Sequence, residues 1–246
     1  MPEISIETLT ERDIAKTIDH SLLKPELDDA FIEEGCRLAA EYDVASVCVP
    51  PVHIRRGGAI LAGTDVKVGT VVGFPHGYAT TETKVAETRQ ALADGATEID
   101  MVLQIGALKS GRDADVRADI AAVVEVAHAG GAIVKVIFEN AYLTDDEKVR
   151  ACHLTQAAGA DFVKTSTGFA PGGATHDDLR LMRANTSPHI QVKAAGGVRT
   201  LDALLDVMAL GVTRIGATAT KTIIDDFRAR KAGRAPVRTG AAGGSY

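Results

Sequence analysis

Short runs of apolar, mostly β-branched residues recur along the chain and are separated by longer stretches of mixed polarity. The runs lie at residues 17–19, 46–49, 66–74, 98–103, 133–138, 161–165, 190–194 and 214–217. Their centres are about 28 residues apart, which is the length of one strand–helix unit. The longer runs are nearly unbroken rather than alternating, and this pattern is typical of strands covered on both faces in a parallel sheet.

The stretches between the runs carry the spacing of amphipathic helices. Apolar residues recur every three or four positions over residues 113–129 and again over 200–210, where Thr200 is the predicted N-cap. Eight strands that alternate with helices predict a (β/α)8 TIM barrel. An open doubly wound sheet is the competing fold. That fold needs a GxGxxG turn after its first strand, and residues 19–25 contain no glycine.

Composition changes only near the end of the sequence. We therefore predict one barrel domain over residues 1–231 and a flexible tail, rich in glycine and alanine, over 232–246. Lys plus Arg number 27 and Asp plus Glu number 33, for a formal net charge of −6. This balance argues against binding to nucleic acid or to an anionic membrane. No apolar run approaches the roughly 18 residues that cross a bilayer.

The cysteines and histidines indicate the cellular compartment and whether a metal site is present. The three cysteines are Cys36, Cys48 and Cys152, which are far apart and odd in number, so we expect a reducing compartment without disulfides. The first residues lack the basic and apolar regions of a secretion signal, and the cytoplasm is the expected location. No two of the 7 histidines lie within five residues of each other, which indicates no metal site.

Two predicted strands end alike, with Val-Lys followed by small residues and then glycine. These ends hold Lys164 and Lys193, and catalysis in such barrels occurs at the C-terminal ends of strands. Neighbouring strands lie about 4.8 Å apart. Two ammonium groups at matching depth would be roughly 6 Å apart and would repel by about 3 kcal/mol, or about two pKa units. One lysine would then be partly neutral near pH 7 and able to form a Schiff base with a carbonyl.

Asp100, in the fourth predicted strand, is the carboxylate that could carry protons beside these lysines. A structural ion pair is the alternative role for Asp100, and solvated strand ends are the alternative for the lysines. Electrostatics alone does not tell which of Lys164 and Lys193 would attack.

Glycines that follow the last two strands indicate a phosphate site. Gly196, Gly197 and Arg199 follow the seventh strand, and Gly216 and Thr218 follow the eighth. Barrels often bind phosphate in these two loops through backbone N–H groups and a helix N-terminus. Glycine permits the backbone to approach the phosphate closely, although a Gly-Gly pair taken alone is often only a turn.

Seven segments, in order and in register, resemble the deoxyribose-phosphate aldolases. They are residues 18–25, 46–51, 72–75, 98–102, 164–169, 172–175 and 192–199. The resemblance covers roughly residues 12–230. It implies a class I aldolase on a TIM barrel that reversibly splits 2-deoxy-D-ribose 5-phosphate into acetaldehyde and D-glyceraldehyde 3-phosphate. It also implies that neither a metal nor an organic cofactor is needed.

The resemblance assigns roles by position. It makes Lys164 the Schiff-base lysine, Lys193 the lysine that perturbs it, and Asp100 the acid–base residue, which works through a water. Phosphate binding is implied for Gly196, Gly197, Arg199, Gly216 and Thr218, and further substrate contacts for Asp19, Ser21, Cys48 and Thr167. Tyr246, on a mobile tail, is implied to assist proton transfer. The implied partners are a small phosphosugar and further copies of the chain, with a dimer favoured.

Some positions depart from the pattern of this family. Ala219 replaces a serine, which removes a phosphate-facing hydroxyl for which Lys221 could compensate, and His76 and Tyr78 replace small or aliphatic residues. These departures leave the imine chemistry intact and concern the choice of electrophile and of phosphate. A Schiff-base aldolase for another pair of carbonyl compounds, a phosphosugar isomerase and a non-catalytic phosphosugar-binding barrel are the alternative functions.

Overall fold

Eight parallel strands close into a barrel in the computed structural model, which describes residues 4–236. The strands are β1 (Ile18–Ser21), β2 (Ser46–Val49), β3 (Lys67–Val72), β4 (Glu98–Val102), β5 (Ile133–Ile137), β6 (Phe162–Lys164), β7 (Gln191–Ala195) and β8 (Arg214–Ala217). Each strand pairs with its neighbour in chain order, and β8 pairs with β1. The TIM barrel predicted from the sequence is confirmed.

Helices flank the strands along the described range. They are α1 (Glu11–Ala15), α2 (Asp29–Glu41), α3 (Ile54–Ile60), α4 (Thr81–Ala93), α5 (Ile105–Lys109), α6 (Asp113–Ala129), α7 (Asp145–Ala157), α8 (His176–Ala184), α9 (Leu201–Ala209) and α10 (Thr220–Lys231). The helix predicted over 113–129 is α6 with the same bounds. Thr200 is the N-cap of α9, as predicted, and its hydroxyl accepts a hydrogen bond from the N–H of Ala203.

The alternation of side chains along each strand separates two interiors. In β4, Ile99 and Met101 are fully buried in the hydrophobic core between the sheet and the helices. Because successive side chains point to opposite faces, Glu98 and Asp100 lie inside the barrel. Asp100 there meets lysine side chains of β6 and β7. The apolar core therefore lies between the barrel wall and the helices, and the charged side chains lie inside the barrel.

A buried ion pair joins two of the outer helices. Lys84 of α4 and Asp119 of α6 are fully buried, with the lysine Nζ 2.6 Å from the carboxylate Oδ2. The same Nζ donates to the carbonyl of Val102, at the end of β4, at 2.8 Å. The pair thus packs α4 and α6 together and also contacts the strand that holds Asp100.

The last described helix ends at Lys231, whose ammonium donates to the carbonyls of Ile6, Glu7 and Leu9. The division into a domain over 1–231 and a tail over 232–246 stays a prediction, and Tyr246 lies outside the described residues. Between residues 4 and 236, no helix is both long and apolar enough to cross a membrane.

Candidate active site

Seven charged side chains occupy the inside of the barrel, where branched apolar residues are usual in this fold. The cations are Lys135, Lys164, Lys193 and Arg214, and the carboxylates are Asp19, Glu98 and Asp100. We refer to these seven residues as the interior charge cluster. Its lysines and carboxylates are at most 4% exposed. Charges so deeply buried are tolerated only when they are paired.

Lys164 and Lys193 occupy matched positions on neighbouring strands. They are Cα partners across β6 and β7. Their Nζ atoms lie 2.6 Å and 2.8 Å from the same carboxylate oxygen, Oδ2 of Asp100. The two lysines predicted from the strand ends therefore point to the same side of the barrel wall, and the predicted carboxylate lies between them.

The ion pairs of the cluster distinguish the two lysines. Lys193 contacts two carboxylates, Lys135 contacts three, and Arg214 contacts two. Among the described residues, Lys164 pairs with one carboxylate, Asp100, which it shares with Lys193. With every group ionised, the cluster has one more positive charge than negative charges. Because loss of the Lys164 proton removes this excess from a buried site, the geometry favours Lys164 as the neutral amine.

The pKa shifts agree with this assignment. Burial lowers the pKa of Lys164, and the Lys193 ammonium lowers it further, against the attraction of Asp100. Burial also disfavours the charged form of Lys193, but Asp100 and Asp19 outweigh it and raise its pKa. Burial alone would raise the pKa of Asp100, but the surrounding ammonium groups, first that of Lys135, hold it well below its usual range. A lysine with a lowered pKa, a lysine with a raised pKa and a carboxylate with a lowered pKa thus lie side by side.

Sequence reasoning misses three members of the cluster, namely Glu98, Lys135 and Arg214. Glu98 accepts from the Lys135 Nζ at 2.6 Å and from the Arg214 Nη2 at 2.6 Å. Two signals are present in the sequence. Lys135 lies at the centre of the apolar strand Ile-Val-Lys-Val-Ile, and Glu98 lies two residues before Asp100 and therefore on the same face of β4.

A cleft of about 550 Å³ opens over the cluster at the C-terminal ends of the strands. The predicted residues that line it are Asp19, Ser21, Cys48, Lys164, Thr167, Lys193, Gly196, Gly197, Arg199, Gly216 and Thr218. Asp100 contacts both lysines from within the barrel. The structure thus brings together every predicted site residue that it describes.

The loops after β7 and β8 form one end of this cleft together with Gly216, which lies inside β8 rather than after it. Gly196 has φ +79, and a Cβ atom there would lie 2.9 Å from the Cα of Gly173, so the close approach of the loops after β6 and β7 requires glycine. The N-cap of α10 is Ala219, and in the described chain no side chain caps this helix. A helix N-terminus with free N–H groups favours an anion.

The remaining predicted residues have defined surroundings. Cys48 is buried, and burial, together with Asp100, raises its pKa to about 11, so it is a thiol at neutral pH. The Thr167 hydroxyl contacts the Glu139 carboxylate and accepts from the N–H of Phe169. Lys221 pairs with Asp225 at 2.8 Å rather than lining the cleft. Within residues 4–236, no group of three or more His, Cys, Asp or Glu side chains is arranged to hold a metal ion.

The chain is similar to known aldolases over most of its length. The sequence pattern of the DeoC/LacD family aldolases matches residues 14–242. A deoxyribose-phosphate aldolase of Rhodopirellula baltica is 50% identical over 216 residues, which cover 88% of this chain and 90% of that protein. A deoxyribose-phosphate aldolase of Geobacillus sp. is 52% identical over 215 residues, which cover 87% and 96%.

Solved structures give the same result. The deoxyribose phosphate aldolase of Aeropyrum pernix, described as a unique tetrameric structure, is 29% identical. It superposes with a TM-score of 0.83 over 90% of this chain and 93% of that one. The similarity covers the whole barrel and is not confined to the strand ends that form the cleft.

Proposed function

Because the chain belongs to the DeoC/LacD family of aldolases, we propose that it is a deoxyribose-phosphate aldolase. Its reaction is the reversible cleavage of 2-deoxy-D-ribose 5-phosphate into acetaldehyde and D-glyceraldehyde 3-phosphate. The observation that supports this proposal best is the Lys164 amine, which lines the cleft with a lowered pKa and contacts an ionised carboxylate.

The first step is formation of an imine. The neutral amine of Lys164 attacks the C1 aldehyde of the sugar and forms a carbinolamine. Lys193, which Asp19 and Asp100 keep protonated, supplies the proton that leaves with the water. The product is an iminium whose positive charge replaces the one that Lys164 gave up, and it lies beside the negative charge of Asp100.

Cleavage follows from the electron demand of the iminium. Asp100 accepts the proton of the C3 hydroxyl through a water. The C3 oxygen becomes a carbonyl, the C2–C3 bond breaks, and its electron pair forms the C1–C2 double bond of an enamine. D-glyceraldehyde 3-phosphate then leaves. Protonation of C2 and addition of water to the iminium release acetaldehyde and restore the amine.

The phosphate of the substrate is bound at the end of the cleft formed by the loops after β7 and β8. Gly196, Gly197 and Gly216 bring backbone N–H groups close to it, and Arg199 and Thr218 line the same end. The uncapped N-terminus of α10 adds a favourable dipole. Asp19, Ser21, Cys48 and Thr167 form the rest of the binding surface.

Three further properties belong to this proposal. Tyr246 assists the protonation of the enamine. The chain forms a homo-oligomer, with a dimer as the first expectation, and the tetramer seen for the Aeropyrum pernix relative makes a larger assembly an alternative. The cytoplasm is the expected compartment, because all three cysteines are free and buried.

The proposed function is tested by trapping the imine. The protein is incubated with acetaldehyde, reduced with borohydride, and digested for mass spectrometry. An adduct of about 28 Da on Lys164 is the expected result. No adduct on any barrel lysine of the folded protein would contradict the proposal and would favour a phosphosugar-binding or isomerase barrel. An adduct without cleavage of 2-deoxy-D-ribose 5-phosphate would indicate a Schiff-base aldolase for other carbonyl compounds.

A further inference from the structure

Glu139 is an acidic residue beside the cleft that takes no part in the lysine chemistry. It follows β5 after one residue, is 3% exposed, and has φ +56. This left-handed backbone region is rarely adopted by residues other than glycine. A strained backbone and a buried carboxylate at one position both need a compensating interaction.

The backbone of Glu139 is fixed against the strand that carries Lys164. The N–H of Phe138 donates to the carbonyl of Lys164 at 3.0 Å, and the N–H of Asn140 donates to the carbonyl of Thr165 at 3.0 Å. These two bonds lie on either side of Glu139 and extend the pairing of β5 with β6 beyond the ends of both strands. They hold Glu139 in its strained conformation and aim its side chain at the loop after β6.

The carboxylate of Glu139 binds one residue of that loop. Its Oε2 accepts from the N–H of Thr167 at 3.2 Å and also accepts from the Thr167 hydroxyl. In the described chain Glu139 forms no ion pair. Burial raises its pKa, although the bonds from Thr167 and the charge of Lys164 oppose this effect. The bonds from Thr167 are therefore the main compensation for burying this carboxyl group.

Thr167 connects Glu139 to the wall of the cleft. Its hydroxyl oxygen accepts from the N–H of Phe169 at 3.0 Å. The Phe169 ring packs edge-to-face on that of Phe74, with centroids 5.3 Å apart at 90°. Thr167 and Gly168 both line the cleft. The chain of contacts thus runs from the end of β5, through the loop after β6, to the loop after β3.

We propose that Glu139 is a positioning residue that holds residues 165–169 in place as one wall of the substrate cleft. This inference rests on the proposed function. The amine of Lys164 is held independently, because Asp100 contacts it from β4 and the backbone of β6 pairs with β7. Loss of the Glu139 carboxylate should therefore leave imine formation nearly unchanged and slow the carbon–carbon step.

The test compares two reactions of the same variants, borohydride trapping of acetaldehyde on Lys164 and steady-state cleavage of 2-deoxy-D-ribose 5-phosphate. We expect Glu139→Ala to trap acetaldehyde within about 3-fold of the parent, and its kcat for cleavage to fall about 10- to 100-fold, the effect of misplacing a substrate contact. Glu139→Gln retains an oxygen that accepts from Thr167, so its kcat for cleavage should fall less than that of Glu139→Ala. Thr167→Val should reproduce the loss seen in Glu139→Ala.

Two controls distinguish the loss of the Glu139 carboxylate from a change in backbone strain and from the loss of any other glutamate. Glycine adopts φ +56 without strain, so Glu139→Gly should unfold at a higher temperature than Glu139→Ala and cleave equally slowly. Glu147 also accepts from the N–H of a threonine, Thr144, at 2.8 Å, but it lies at the start of α7. Glu147→Ala should therefore leave both reactions at parental rates.

The double variant and the two reaction rates test whether Glu139 and Thr167 act together. Glu139→Ala together with Thr167→Val should be no slower than the slower single variant, because both remove the same restraint. Equal losses of trapping and cleavage in Glu139→Ala, parental cleavage in that variant, or rescue by Glu139→Gly would each overturn the inference. If Glu139→Ala does not fold, Glu139→Gln and Thr167→Val carry the same comparison. Failure of the parent itself to trap acetaldehyde would instead overturn the proposed function.

Discussion

Lys164 and Lys193 are chemically identical side chains at paired positions of neighbouring strands, yet their surroundings shift their pKa values in opposite directions. The difference arises from the number of carboxylates that each one contacts. Lys193 is bound by Asp19 and Asp100, whereas Lys164 shares Asp100 with it. Reactivity at this scale is therefore a property of the contacts and not of the residue type.

Substitution of each lysine by methionine should separate their roles. Lys164→Met should lose both the borohydride adduct and detectable cleavage, since it removes the nucleophile. Lys193→Met should still form its adduct on Lys164, but its kcat should fall about 10²- to 10⁴-fold, the usual contribution of a positioned proton donor. The measurements are peptide mapping and steady-state kinetics. If Lys164→Met retained turnover and formed the adduct on Lys193, then Lys193 rather than Lys164 would be the nucleophile.

The pH dependence of imine formation should respond to the deeper charges of the cluster. Only the neutral amine attacks, so the rate falls as the pH drops through the pKa of Lys164. Glu98→Gln removes a negative charge, disfavours the ammonium and should shift the midpoint to lower pH. Lys135→Met removes a positive charge and should shift it to higher pH. Each shift should be on the order of one pKa unit, measured by trapping at a series of pH values.

The buried pair of α4 and α6 provides the control for this experiment. Asp119→Asn weakens an ion pair that is as buried as those of the cluster but lies outside the barrel. It should lower thermal stability, because an uncompensated buried charge is costly, and it should leave the pH midpoint in place. Shifts of the same sign in Glu98→Gln and Lys135→Met would show that charge does not set the midpoint.

Sequence reasoning finds the lysines that belong to a local motif and misses Glu98, Lys135 and Arg214. Lys164 and Lys193 are recognisable because each precedes small residues and glycine at a strand end. Lys135 lies inside an apolar run, where a local pattern cannot tell which face it occupies or that Asp100 is its Cα partner. Such pairings depend on the register of the closed sheet, which one strand alone does not specify.

At the scale of elements, a histidine joins the first strand to the last helix. His20 follows Asp19 in β1 and therefore points outward, where its Nδ1 lies 2.8 Å from the hydroxyl of Thr220 in α10. It is 5% exposed, and burial lowers its pKa to about 4. The neutral form of His20 is thus the form that fits the folded barrel.

This histidine should make stability depend on pH. Its folded-state pKa lies below its unfolded value, so the unfolded chain binds more protons between about pH 6.5 and pH 4. Stability should be full above pH 6.5 and should decrease by about 3 kcal/mol as the pH falls to 4. His20→Gln should flatten urea-unfolding free energies over this range. Equal slopes in both proteins would contradict the prediction, and the depressed carboxylates of the cluster act only at lower pH.

The N-cap of α9 should contribute measurably to stability because its hydroxyl pairs an N–H of the first helical turn. Thr200→Ala removes the hydrogen bond to the N–H of Ala203 and should cost about 1 kcal/mol, or about 2–4 °C in Tm. Thr213 is a matched control, since it is exposed and lies outside a helix N-cap. Thr213→Ala should stay within about 0.5 kcal/mol of the parent. Equal losses of stability in the two variants would show that the N-cap contributes no more than an exposed threonine.

Element boundaries were predictable where the local signal is strong. The bounds of α6 follow from its apolar spacing, whereas the run over 66–74 extends beyond β3, which ends at Val72. Gly73 ends the strand with φ +60, and its N–H binds the Glu87 carboxylate. The left-handed Glu139 could not be predicted, because the bonds that hold it come from another strand.

At the scale of the whole molecule, α10 runs away from the cleft. It begins beside the loop after β8, and its 12 residues span about 18 Å, so Lys231 lies far from the site. Residues 232–246 can extend on the order of 50 Å. Tyr246 lies outside the described residues, and its part in the proposed reaction is open to a direct test.

Tyr246→Phe should therefore affect protonation of the enamine without affecting the imine. We expect exchange of deuterium from D2O into the methyl group of acetaldehyde to slow about 10²-fold, the lower range for a general acid. Borohydride trapping on Lys164 should keep its parental rate, since Asp100 and Lys193 remain. NMR of acetaldehyde measures the exchange. Parental exchange in Tyr246→Phe would remove this residue from the mechanism.

The ion pair between Asp19 and Arg214 joins the first strand of the barrel to the last, across 195 positions of the chain. A ribosome must therefore deliver nearly the entire polypeptide before this pair can form. Until then, Asp19 lacks the partner that helps hold it against Lys193, and Lys164 is an ordinary solvated lysine. The environment that lowers the pKa of Lys164 therefore assembles only after β8 has been synthesised and has paired with β1.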